Sequence, residues 1–182
     1  MALKFAADAM LGKLARWLRL LGYDVFYSPN ADDDELIKVA REEGRILLTR
    51  DTQLLRRKDV PLFLLILSDD WQEQILQTAL RFNLDLDGKR MTRCVECNEL
   101  LEPVDKEEVR YEVPRHVYRT QEHFSRCPKC RKIFWAGSHC ERANRVIERI
   151  KMRIAELNSN APLNSNGMEG CDPPRATTSA QG

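Results

Sequence analysis

The 182-residue chain lacks any long apolar run. A membrane-spanning helix needs roughly 18 or more consecutive apolar residues. Here Arg, Lys or Asp interrupts every hydrophobic stretch, so no membrane partner is expected. No secretory signal is expected. Residues 10–21 are amphipathic, with Lys13, Arg16 and Arg19 and no acid, as in a transit peptide, but they run without a cleavage-type break into sequence that reads as folded. Nor is there an excess of one charge: 29 Lys+Arg face 28 Asp+Glu, leaving +1. A uniformly basic or acidic polyelectrolyte is excluded, although balance in the total can hide two opposite parts. At 43% hydrophobic the chain can bury a core of one domain, or of one domain with a small appendage.

Among what is present, cysteine decides most. Four of the six cysteines form two knuckles, Cys94-Val-Glu-Cys97 and Cys127-Pro-Lys-Cys130. Two C-x-x-C pairs in one chain read as a tetrahedral zinc site, in preference to the two disulfides a secreted protein would need. Such thiolates persist in a reducing compartment, so the cytoplasm is the expected location. Cys171 stands without a partner motif and is given no role.

Residues 1–88 alternate between strand-like and helix-like signals. Strand candidates are residues 3–7, 23–27, 46–48 and 61–67, the last apolar on both faces. Between them lie a helix over 9–21 with Met10, Leu14, Trp17, Leu18 and Leu21 at helical spacing, ended by Gly22, and a helix over 33–43 closed by Gly44. A short polar helix over 52–58 and a last helix over 70–82 complete the pattern. Apolar strands alternating with helices indicate an α/β fold with a four-stranded, mainly parallel sheet covered on both sides.

In such a sheet all C-terminal strand ends share one edge, where ligands bind. A carboxylate follows every strand: Asp8; Asp32, Asp33 and Asp34; Asp51, ending the stretch RILLTRD; and Asp69 and Asp70. Each of these positions also opens a helix, and Asp is a favoured N-cap, so capping is the competing explanation. Crowded carboxylates repel unless a cation sits among them, and hard oxygen ligands suit Mg²⁺ or Mn²⁺. No organic cofactor is expected. A haloacid-type phosphotransfer domain would also place an Asp after its first strand, but it needs a second Asp two positions later, and Asp8 is followed by Ala9 and Met10.

Composition changes near residue 83. Residues 89–157 hold the knuckles, separated by 29 residues that include Tyr111, Arg115, His116, Tyr118, Arg119, His123, Phe124 and Arg126. Residues 132–135 read as the returning strand of a ribbon hairpin. Ser138 with Glu141 then forms a capping box for a helix with Val146, Ile147, Ile150 and Ile154 inward and Arg142, Arg145, Arg149 and Arg153 outward. Residues 158–182 are rich in Asn, Ser, Gly and Pro and are expected to be disordered. Lys+Arg minus Asp+Glu is 12 minus 15 over residues 1–88 and 16 minus 11 over 89–157. A basic module beside an acidic cleft fits a polyanion held by one part and cut by the other, although outward arginines also serve simply to solvate a helix face.

These motifs together, DAMLGKLARWLRLLGYD (8–24), DDEL (33–36), LLTRD (47–51), the two knuckles and FWAGSH (134–139), closely resemble the Mut-seven C-terminal RNase family over residues 1–155. The resemblance implies a PIN-like three-layer nuclease domain over 1–88, a zinc-ribbon domain with a C-terminal helix over 89–157, and hydrolysis of RNA phosphodiesters by clustered acids. By matching motif, Asp8, Asp33 and Asp51 correspond to the metal-binding core holding Mg²⁺ or Mn²⁺. Asp34 and Asp70 are additional candidates, and Lys13 and Arg50, beside the acidic edge, are candidate phosphate contacts. Cys140 departs from the pattern, standing where an aromatic is expected, which brings His139 and Cys140 forward as competing ligands; four cysteines already fill a tetrahedral site, so His139 is read as structural. Preference for RNA rests on the resemblance, since no residue reads a 2′-hydroxyl. Two points stay open: a homodimer that completes the cleft, and a non-catalytic RNA-binding or ribosome-associated zinc-ribbon protein whose acids are caps.

Overall fold

In the computed structural model, which describes residues 3–160, the alternating segments become four short parallel strands. They are β1 (Lys4–Ala7), β2 (Asp24–Tyr27), β3 (Ile46–Thr49) and β4 (Phe63–Leu65), in the order β2-β1-β3-β4. Ala7 lies opposite both Tyr27 and Leu48, and Thr49 opposite Leu65. All four C-terminal ends therefore meet at one edge.

From β1 the chain moves outward to β2 through α1 (Gly12–Leu20), then back across β1 to β3 through α2 (Asp33–Glu42). Right-handed crossovers in opposite directions put the two helices on opposite faces. Alternation along the strands matches this. Phe5, Ala7 and Leu48 pack with Leu14 and Leu18 of α1, while Ala6 and Leu47 pack with Leu36, Ile37 and Ala40 of α2. Each of these large buried side chains contributes about 1.5–3 kcal/mol. Helix α3 (Trp71–Phe82) joins the α1 face through Ile75, Leu76 and Ala79.

Two segments differ from the sequence-based reading. The run over 61–67, apolar on both sides, forms only the three-residue edge strand β4; Leu62, Phe63 and Leu67 are exposed because nothing lies beyond an edge strand on that side. The free edge of β4 is met by one side chain, Gln77 of α3, which donates to Leu65 O at 2.7 Å and accepts from Leu67 N at 3.1 Å. Residues 52–58 contain a single 3-10 turn, Leu54–Arg56, with only Leu54 buried.

The later residues form a three-stranded antiparallel sheet, β5 (Glu102–Val104), β6 (Phe124–Arg126) and β7 (Ile133–Trp135). With the short helix α4 (Arg115–Thr120) it encloses a small cluster of Val109, Val113, Val117 and Phe124. Helix α5 (Ser138–Asn160) leaves this sheet and lies on the α3 side of the parallel sheet, burying Ile147 and Ile150 in the main core with Val146 and Ile154 packed beside them. Residues 158–160, read as the start of a tail, belong to this helix. Residues 161–182 and the Ser138 side chain, and with them the tail and the capping box, lie outside the described residues. Among the described residues no helix is long and apolar enough to cross a membrane.

Candidate functional site

Asp8 and Asp51 follow the two central strands, β1 and β3, at the point where the crossovers diverge to opposite faces. Divergence of two loops opens a crevice, the usual ligand position in an open α/β sheet. Asp8 is buried and accepts three hydrogen bonds, which leaves one lone-pair site on Oδ1. Its Oδ1 accepts from Met10 N at 2.8 Å, and its Oδ2 accepts from Thr49 Oγ1 at 2.6 Å and from Arg50 N at 2.8 Å. Thr49 Oγ1 in turn accepts from Asp51 N at 2.9 Å, so one hydroxyl joins the two acidic loops. Thr49, fully buried at the end of an apolar run, was not singled out from the sequence; a polar residue at that place needs a partner, and this was the available signal.

Asp51 is half-buried, and its Oδ1 accepts from Gln53 N at 2.7 Å. Asp70 caps α3 by accepting from Gln72 N and Glu73 N, and Asp32 caps α2 by accepting from Glu35 N. In each of the four loops an acid thus holds backbone amides. Asp33 is exposed in the first turn of α2 and has no hydrogen bond or ion pair among the described residues. Asp34 is engaged at 2.6 Å by Arg57, which also holds Asp59. The structure therefore brings Asp8 and Asp51 into one network and leaves Asp33, Asp34 and Asp70 outside it.

Arg50 lies between the two central acids. Its guanidinium pairs with the exposed Asp69, while its buried Nε has no partner among the described residues. Lys13 Nζ sits 4.4 Å from the centre of the Trp71 ring, which also stacks on Trp17 at 4.8 Å between centroids. Both cations line the acidic edge.

The four cysteine sulfurs of the knuckles, Cys94, Cys97, Cys127 and Cys130, lie within 4.8 Å of one another. Cys94 and Cys130 are 3.7 Å apart, close to the roughly 3.8 Å edge of a tetrahedron with Zn–S bonds of about 2.3 Å. The two knuckles repeat the same backbone geometry. Asn98 N and Arg131 N donate to Cys94 O and Cys127 O, and both residues adopt positive φ, 67° and 63°. Cys97 N and Cys130 N point at Cys94 Sγ and Cys127 Sγ. These residues are positioned to bind a metal ion. Burial pushes the Cys94 thiol up and the Cys97 thiol up to about 12, whereas the Lys132 amide draws Cys130 down to about 7. Cys140 is not in the group; its Sγ approaches Trp135 O, and His139 is exposed. Among the described residues this is the one convergence of three or more metal-ligating side chains, and the carboxylates form none.

The first knuckle is docked at the other end of the sheet from the acids. Buried Arg19 of α1 donates twice to Val25 O of β2, and also to Val95 O and Glu96 O inside the knuckle. Asn98 accepts from Val25 N at 3.0 Å and donates to Asp24 at 2.8 Å. The knuckle thereby closes the free edge of β2. Burial lowers the Arg19 pKa, an effect opposed by the neighbouring Cys94 and Cys97.

The family model described as the Mut7-C RNAse domain matches residues 3–147. No curated protein matches the chain, and no solved structure matches it.

Proposed function

Because the chain belongs to the Mut7-C RNAse domain family, we propose that it is a metal-dependent ribonuclease that hydrolyses RNA phosphodiester bonds at the edge bearing Asp8 and Asp51. The observation that carries this reading is the position of those two acids at the divergence of the crossovers, where the Thr49 hydroxyl donates to the Asp8 carboxylate and accepts from the Asp51 backbone amide. Mg²⁺ and Mn²⁺ suit such a place: they take oxygen ligands, and Mg²⁺ keeps several waters and needs only one or two carboxylates from the protein. Asp8 and Asp51 would hold the ion, with the exposed Asp33 as the third acid. When bound, it lowers the pKa of a coordinated water and offsets charge developing on the phosphate.

The chain's own residues supply the rest. Three donors fix Asp8 in one orientation, so its charge is placed before substrate arrives. The Oδ2 of Asp51 accepts no hydrogen bond among the described residues and is available as a ligand or acceptor. Arg50 and Lys13 meet the phosphate from the rim. Asp34 is engaged by Arg57 and Asp70 caps α3, so both act on substrate only through their charge. The cysteine group, filled by structural zinc in a reducing cytoplasm, holds the ribbon. There Tyr111 is 91% exposed beside Arg110 and offers a ring on which a base can stack.

The test is cleavage of end-labelled single-stranded RNA with Mg²⁺ or Mn²⁺, comparing wild type with Asp51→Asn. Asn retains the oxygen that accepts from Gln53 N, so the variant folds with stability within about 1 kcal/mol of wild type and loses at least about 100-fold in rate, the size expected when a preorganised charge is removed. Equal cutting by both would sink Asp51 as a ligand. A second reading has its own support, because Asp8, Asp32, Asp51 and Asp70 all hold amides. Binding of RNA without cutting, with or without divalent ions, would establish a non-catalytic binding module.

A further inference from the structure

Helix α5 connects the two ends of the molecule. It starts where β7 ends, and Asn144 accepts from Arg90 in the loop after α3. Its inner face crosses the core at Ile147 and Ile150, and Arg153 pairs with Glu73 in the first turn of α3, beside the Asp70 cap. The first turn of α3 lies at the C-terminal edge of the sheet, so α5 runs from the metal-binding ribbon to the acidic edge. The pKa of Arg153 is raised first by its hydrogen bond to Glu73, and Asp70 contributes through its charge.

Arg142, Arg145, Arg149 and Arg153 are all exposed along this path. At about 100° per residue they fall within roughly 80° of arc, and from first to last they span about 16 Å along the axis. Arg142, Arg145 and Arg149 have no carboxylate partner among the described residues. Of the three acids of α5, Glu141 and Glu148 lie outside the arc, by roughly 40° and 60°, with Glu148 paired to Lys151, and Glu156 lies inside it, beyond Arg153. A helix face that merely stays solvated gains from paired charges, whereas successive unpaired guanidinia such as those of Arg142, Arg145 and Arg149 repel one another in the absence of an anion. The family model ends at residue 147, so Arg149 and Arg153 extend the row past the matched segment.

We infer that the arginine row of α5 is a phosphate track that holds single-stranded RNA and leads it from the ribbon to the acidic edge. This rests on the ribonuclease reading for the identity of the polyanion. The contacts are to phosphates and therefore independent of sequence, and each guanidinium adds to the salt dependence of binding.

The test is fluorescence anisotropy of a labelled single-stranded RNA with full-length, zinc-loaded protein in a chelator-free buffer prepared without Mg²⁺ or Mn²⁺, titrated at several salt concentrations. The variant Arg142→Gln/Arg145→Gln/Arg149→Gln is compared with Lys38→Gln/Arg41→Gln/Lys58→Gln, which removes equal charge from exposed positions around α2. For the row variant, affinity falls roughly tenfold or more and the slope of log K against log salt is shallower by about 2, near 0.7 per lost contact. The α2 control moves the slope by less than about 0.5, and both variants melt with wild type. If the row variant binds like wild type while wild type still cuts RNA, the track is overturned and the ribonuclease reading stands. Equal losses in both variants would mean net charge alone is at work, which also overturns it. A wild type that neither binds nor cuts RNA removes both.

Discussion

Thr49 shows how a single side chain organises the acidic edge. Asp8 carries three hydrogen bonds and Asp51 one, so the same Asp→Asn change has different consequences at the two positions. Asn offers one acceptor oxygen and therefore maintains Asp51 but not Asp8. Asp51 is for this reason the cleaner probe. At the other end of the molecule Asp24 has a comparable organising role. Burial works to raise its pKa, but hydrogen bonds from Arg45 and Asn98 and the charges of Arg45 and Arg93 hold it below the ordinary carboxylate range. A depressed folded-state pKa contributes stability above the unfolded value, about 3.9, and that contribution is lost as pH falls through the lower folded value. Denaturant titrations should show Asp24→Asn about 2 kcal/mol less stable than wild type at pH 7. The gap should close as pH drops below about 4. A gap that is constant with pH would remove Asp24 as the titrating group.

At the scale of the elements, the helices were readable because their burial is one-sided: Leu14 and Leu18 of α1, and Leu36, Ile37 and Ala40 of α2, all face the sheet. The ends were readable for a local reason, since Gly22 and Gly44 have φ of 91° and 61°. What surrounds Gly22 was not readable. A Cβ there would come within 2.2 Å of Lys89 O, in the segment that carries the first knuckle onto α1. Gly22→Ala should therefore lower stability by more than the approximately 1 kcal/mol of a positive-φ site alone, and chemical denaturation would measure it. A loss no larger than that would mean the 89–91 segment moves aside freely. The edge strand β4 marks the opposite limit. Its run of seven apolar residues suggested burial on both faces, yet its place at the end of the strand order leaves Leu62, Phe63 and Leu67 in solvent, because apolarity alone does not specify how many neighbours a strand has.

At the scale of the whole molecule, the metal site is joined to the sheet through β2. The Val25 amide donates to Asn98, one residue past Cys97, and the Val25 carbonyl accepts from Arg19. Removal of metal should loosen the knuckle and uncover this edge. Hydrogen exchange after chelation, or in Cys127→Ser, should speed up at Val25 while Leu47 and Leu48 in the centre stay protected; unchanged exchange at Val25 would show the knuckle holds without its ion. Metal affinity should rise with pH, since burial holds protons on Cys94 and Cys97 that binding must release. By itself the sequence determined the parallel α/β sheet, the order of its helices, the pairing of the two C-x-x-C knuckles and the delivery of an acid by every strand. All of these depend on periodicity, spacing and turn chemistry within a few residues. Only the tertiary structure decided that Asp8 and Asp51 share a hydroxyl while Asp33 stands apart, that the knuckle closes β2 at the end away from the acids, and that α5 packs on α3 with its arginines in one row. Those facts are contacts between residues 40 to 80 positions apart, and local pattern carries no information about which distant surface a buried face will meet.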